Sequence, residues 1–178
     1  MLEKIKFDIN KIITVLSVIA IAFLTIIIFP IFDLDINNID WISFIVLCLE
    51  LVSAIILLIF SLKNRLDLKS ISIPAIIFLA SKVVSYFNTL YNNQKFGNVP
   101  MLVISIAIVV LWIINLSNKD VKSILLMLLL VIAIYNVLYI YNASMHSTVN
   151  LAMIISISLP LLNKGEEKNE SEENSINQ

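Results

Sequence analysis

Six nearly continuous apolar runs, broken only by short polar stretches, constrain this chain more than any other feature. They cover residues 12–30, 41–61, 71–90, 100–116, 121–141 and 145–162. A hydrocarbon layer about 30 Å thick is crossed by roughly 20 residues of α-helix. The runs therefore predict six transmembrane spans. The last is the weakest, because His146, Ser147, Thr148 and Asn150 crowd its start, and five spans are the alternative.

Helix is imposed by the solvent. Lipid offers no hydrogen-bond partner, so each backbone N–H and C=O must be satisfied within its own segment. The Ile and Val that fill the runs weaken a helix in water. In lipid that small penalty is overridden by the cost of an unpaired backbone group. A transmembrane barrel needs short alternating strands, and these runs are continuous. The expected fold is all-α, a polytopic transmembrane helical bundle forming one membrane domain over residues 1–162.

Composition removes the competing classes. Of the residues, 60% are hydrophobic and only 14% charged, whereas about a quarter are charged in soluble domains. Neither a soluble globule nor a largely disordered chain fits that balance. The single cysteine, Cys48, permits no disulfide within the chain and no Cys-based metal site.

Orientation follows from Lys and Arg. Lys4, Lys6, Lys11, Lys63, Arg65, Lys69, Lys119, Lys122, Lys164 and Lys168 all fall in one set of segments, which makes ten of the twelve basic residues. The opposite loops hold only Lys95, and Lys82 lies inside a span. The split predicts that both termini are cytoplasmic, and it favours an even number of spans. The first outer loop carries Asp33, Asp35 and Asp40 with no basic residue. Tyr86, Tyr91, Tyr135, Tyr139 and Tyr141 fall toward outer span ends, and Trp41 marks the outer end of span two, as interfacial aromatics do. Trp112 sits toward the inner end of span four.

The first run is preceded by lysines, as a signal peptide would be. It is too long for one, and Phe29-Pro30-Ile31-Phe32 follows it instead of a small-residue cleavage site, so it is read as a retained helix. Residues 163–178 hold five acids, two lysines and almost nothing apolar. They predict a disordered acidic cytoplasmic tail. The longest loop between spans, 31–40, has ten residues, so no soluble catalytic domain is housed between them.

Two ionisable residues lie deep in the spans. Glu50 is nine residues past Trp41, roughly 14 Å below the outer boundary, and Lys82 is eleven past Ile71, roughly 17 Å above the inner one. The two depths nearly coincide. Spans two and three share a short loop and are expected to be antiparallel neighbours. A charge at a helix centre costs about 2.5–3.5 kcal/mol on insertion scales, so both side chains should face the bundle interior. The surrounding pattern agrees: Ser81, Lys82, Ser85, Tyr86 and Thr89 share one arc of span three, and Ser43, Glu50, Ala54 and Ser61 form a stripe on span two.

Two readings of the pair stand. It is the centre of a binding or translocation site, or it merely orients two helices. Side chains lean toward the helix N-terminus, which tilts Glu50 outward and Lys82 inward. A water or a third polar group could then bridge them, with Asn136 and Asn150 as candidates.

Other features carry less. Cys48 lies about 200° around the helix from Glu50 and reads as a small apolar residue. His146 is placed at the outer mouth, too shallow to form a nucleophilic dyad with Cys48. Asp33, Asp35 and Asn37 have the first spacing of a calcium loop, but Asn38 replaces the turn glycine and Phe44 stands where the bidentate Glu belongs, leaving a solvated acidic loop. No HExxH, GxSxG, phosphate-binding glycine loop or cluster of metal ligands occurs. No catalytic residue, metal or cofactor is assigned. The two glycines, Gly97 and Gly165, lie outside the spans. Pro30, Pro74, Pro100 and Pro160 sit near span ends, Pro74 and Pro100 at or near first turns. Mostly unbroken helices are expected, which disfavours a broken-helix carrier and excludes GxxxG pairing.

The leading expectation is a multi-pass protein of the cell membrane without catalytic activity. It would be an accessory or immunity-type membrane partner of a transport or envelope system. The alternatives are a small solute or ion translocator built on Glu50 and Lys82, with Ser43, Ser81, Ser85, Tyr86, Asn136 and Asn150 in support, and a membrane sensor. Its partners would be the lipid bilayer and another membrane protein, not nucleic acid. Eleven lysines to one arginine, with abundant Ile and Asn, suit an AT-rich bacterial genome.

Overall fold

The computed structural model describes residues 8–33, 40–66, 68–93, 99–114, 119–140 and 145–163. Among them the regular structure is entirely helical. In order the helices are α1 Ile9–Ile28, α2 Trp41–Leu62, α3 Leu68–Asn93, α4 Val99–Ile114, α5 Lys119–Ile140 and α6 Met145–Asn163, and a short 3-10 turn, Phe29–Asp33, extends α1. Three stretches, Ile9–Ile31, Trp41–Leu62 and Ser70–Tyr91, are long and apolar enough to cross a membrane. Over the described residues the apolar parts of the others, Val99–Ile113, Val121–Tyr135 and Met145–Leu161, are shorter. The acidic tail, the loop carrying Asp35 and Asn37, and the segment with Lys95 and Gly97 lie outside the described residues.

Side chains set the helix ends. Asp8 caps α1 by accepting from the Lys11 amide, and Asp40 caps α2 by accepting from the Ile42 and Ser43 amides. Aspartate is among the strongest N-caps. At the other end of α2, Asn64 takes φ 51°. The Arg65 amide then donates to the Phe60 carbonyl at 2.9 Å and the Asn64 amide to Ser61 at 3.1 Å. This is a Schellman closure, with asparagine in the place glycine usually fills.

Helix α3 starts at Leu68, three residues before the sequence-based boundary. Pro74 therefore falls in the second turn and not the first. A proline there has no N–H for the carbonyl four residues back, yet α3 runs through it. Pro160 is likewise inside α6, near its end.

Each helix packs on the next, α6 closes back on α1, and α3 meets α6 across the middle of the ring. Cross-helix bonds fix the directions. The Asn10 amide group at the start of α1 donates to Asn64 at the end of α2, 2.9 Å. Trp112 near the end of α4 donates its indole N–H to Ser72 near the start of α3, 3.0 Å. These pairs are antiparallel. We call the end where α1 starts and α2 finishes the lower end, and the opposite end the upper.

The interior mixes polar and apolar groups while the exterior is apolar. Ser17, Glu50, Ser53, Ser81, Lys82 and Ser105 are buried, whereas Val15, Phe29, Ile55, Phe87, Met127 and Leu130 are exposed. On α4, Met101, Ser105, Ile108 and Trp112 point inward and Val103, Ile106, Val110 and Ile113 outward. An apolar exterior of this extent belongs against lipid or a partner protein. The hydroxyls of Ser17 and Ser105 are buried without a hydrogen-bond partner.

Candidate functional site

Four polar side chains from three helices meet inside the upper half. Glu50 on α2 is fully buried, Lys82 on α3 is 3% exposed and Asn150 on α6 is 9% exposed. The Lys82 ammonium donates to Glu50 Oε1 and to Asn150 Oδ1. His146 Nε2 stands 2.9 Å from Glu50 Oε2. Lys82 Nζ also lies over the Phe78 ring, 4.9 Å from its centre, as a cation over a π-face does. Both carboxylate oxygens are thus engaged, which is what lets a charged pair persist in a low-dielectric interior.

Helix register explains why the pair meets directly. Ser53 donates to the Pro74 carbonyl at 2.7 Å, so the two backbones are aligned there. Counting back three residues on α2 and forward three or four on α3 sets Glu50 level with Ile77 and Phe78. Lys82 is one turn above, roughly 6 Å. Its side chain leans down over Phe78 and the Glu50 side chain leans up, so the two converge. The opposite tilts expected to separate them depended on starting α3 at residue 71.

Asn150 joins the pair from α6, as a third polar group on Lys82. His146 is one turn before it on the same face. The sequence places His146 at the outer mouth, whereas α6 begins deep enough for it to reach Glu50. Depth therefore does not separate Cys48 from His146; direction does, because Cys48 is on the side of α2 away from Glu50. The i, i+4 spacing of His146 and Asn150 was the available signal for a shared role.

The remaining candidates have other partners. Ser81 is buried and donates to the carbonyl of Phe78 in its own helix at 2.7 Å. Ser43 is exposed at the start of α2 and donates to Asp40 Oδ2 at 2.6 Å. Ser85 and Tyr86 are half-buried on α3. Asn136 is on α5, and its side chain lies outside the described residues.

Directly above the cluster is a pocket of about 220 Å³ whose polar lining is Ser43, Ser85, Asn88, Thr89 and His146. Below the cluster, Ala54, Leu57, Ile71 and Ala75 are fully buried in one apolar core, and the buried Ser53 hydroxyl is spent on the Pro74 carbonyl. A second hollow of about 340 Å³ lies between α5 and α6, lined by leucine, isoleucine and alanine with Ser158; that hydroxyl is spent on the Ile154 carbonyl at 2.7 Å. Among the described residues, no group of three or more His, Cys, Asp or Glu side chains is placed to hold a metal ion. No family model, curated protein or solved structure matches this chain.

Proposed function

We propose that this chain is a six-span protein of a bacterial cell membrane, with both termini cytoplasmic. In this reading it is not an enzyme and serves as the ligand-receiving partner of a transport or envelope system. One observation carries the reading. The polar cluster continues upward into a pocket and downward, among the described residues, into closed packing where the buried hydroxyls of Ser53 and Ser156 are spent on backbone carbonyls. A translocator needs polar footing on both sides of its central site; a receiving site needs it on one.

Helix α6 supports the count of six. Its polar start lowers its hydropathy, and those same residues, His146 and Asn150, turn inward to the Glu50–Lys82 pair. The distribution of basic residues supports the orientation and makes the upper end the outer one.

The buried ion pair at the meeting of three helices favours one second reading, a small ion or solute translocator. Reconstitution separates the two. Liposomes containing the purified protein should hold proton and sodium gradients as long as empty liposomes do. Leakage that Glu50→Gln abolishes would establish the translocator instead.

A further inference from the structure

The hydrogen-bond inventory of the upper pocket is mixed. A hydroxyl has a single proton to give. Ser43 gives its own to Asp40 Oδ2 at 2.6 Å, and Thr89 gives its own to the Ser85 carbonyl at 2.9 Å. Both turn lone pairs toward further partners. Ser85 and Asn88 also line the pocket, and a hydroxyl or a carboxamide group carries donors as well as acceptors.

No counter-charge faces this space. Its described lining contains no Asp, Glu, Lys or Arg. Beneath it, Lys82 donates to Glu50 Oε1, and His146 Nε2 stands 2.9 Å from Glu50 Oε2, so the buried charges are spent within the cluster. Asp40 is bonded to Ser43 but is exposed, where water and salt screen it.

These observations disfavour an ion of either sign. An ion leaving water needs a partner charge, and here it would meet only dipoles. An ammonium group has donors alone and a carboxylate acceptors alone. Each would leave part of the mixed lining unanswered, and a polar group left without a partner on burial is costly. The volume of about 220 Å³ is below the roughly 300–1,000 Å³ of sites for drug-sized ligands. Ile27, Val46 and Leu47 add an apolar wall.

Resting on the ligand-receiving reading, we infer that the pocket takes a small uncharged molecule of the carboxamide type, which both donates and accepts. Its N–H groups would meet the Ser43 and Thr89 oxygens. Its carbonyl would accept from Ser85 or Asn88, and a short alkyl part would lie on the apolar wall.

His146 supplies the readout. It is the only histidine in the chain, it lines the pocket, and its side chain is 36% exposed. Magnetic resonance of isotope-labelled histidine therefore reports on this one place. The full-length protein, purified without a histidine tag and held in lipid nanodiscs at about pH 8, above the ordinary histidine titration, is titrated with butyramide, n-butylammonium and butyrate. Butyramide should shift the signal saturably and at least about tenfold more tightly than either ion, and Thr89→Val should weaken it about tenfold by removing an acceptor at constant shape. Ser43→Ala gives a second variant should the first melt at a lower temperature than the parent. Equal or tighter binding of either ion overturns the proposal, and so does the absence of a saturable shift with butyramide. A separate arm tests the underlying reading. Thr89→Cys in a Cys48→Ala background should react with a membrane-impermeant thiol reagent applied to intact cells. Labelling without butyramide binding overturns the ligand class alone; butyramide binding without labelling keeps the ligand class and overturns the outward-facing pocket.

Discussion

At the scale of single residues, Glu50 and Lys82 show how a cost becomes a constraint. Removing one partner of a buried pair strands the other charge, which costs about 3–5 kcal/mol in soluble proteins. Glu50→Gln and Lys82→Met should each lower the unfolding midpoint in detergent, and the double variant should lose less than the sum of the two. Strict additivity would mean that the pair is not coupled. The sequence singles out both residues, because an ion in an apolar run has few tolerable places to sit. It also offers Asn150 as a third group. His146 escapes it, since reaching Glu50 depends on how deep α6 begins. The roles of Ser43 and Ser81 escape it too: short hydroxyl side chains are satisfied by whichever carbonyl or carboxylate is adjacent.

Among the elements, the start of α2 has a measurable pH dependence. The Ser43 hydroxyl, bonded to Asp40, holds its carboxyl below the usual carboxylate range. The Ser43 and Ile42 amides act in the same direction, and partial burial opposes them. The folded state thus binds the Asp40 proton more weakly than the unfolded state does. The cap's contribution is complete above the ordinary aspartate titration, near pH 4, and is lost as pH falls through the lowered folded value. Asp40→Ala should cost roughly 1 kcal/mol at neutral pH. Thermal melts of parent and variant should converge as the pH is taken below about 4; a constant gap would show that the carboxylate is not the cap. The apolar runs locate all six helices, but not their ends. The run at 71–90 begins after Leu68, Lys69 and Ser70, which are polar or too short a stretch to register, while the helix includes them. That three-residue extension lifts Lys82 relative to the lower end and moves Pro74 out of the first turn.

For the molecule as a whole, the exterior is as apolar as the core. Among the described residues, a few polar groups are set inside an apolar interior and bulky aliphatic side chains cover the outside. Its orientation can be read with single cysteines in a Cys48→Ala background. A thiol replacing Trp41 should react with an impermeant reagent in intact cells, and one replacing Lys63 only after permeabilisation. The reverse pattern would invert the proposed topology. The ring order also has a consequence for the site. Contact between α3 and α6 across the ring brings the last helix against the third, so Asn150 and Lys82, 68 positions apart, can bond.

The sequence by itself determined the helical class. Long apolar runs call for a membrane or a partner around them, and a span across lipid must bond its backbone within itself. It also determined which two side chains could not be left facing lipid. The tertiary structure alone decided what surrounds them. The depth of α6, the register set by Ser53 and Pro74, and the closure of α6 onto α1 and α3 are relations between segments distant in the chain. No local pattern encodes them. They arise because buried charged groups need partners while the apolar faces stay packed, and Glu50, Lys82, His146 and Asn150 meet that need only when α2, α3 and α6 come together.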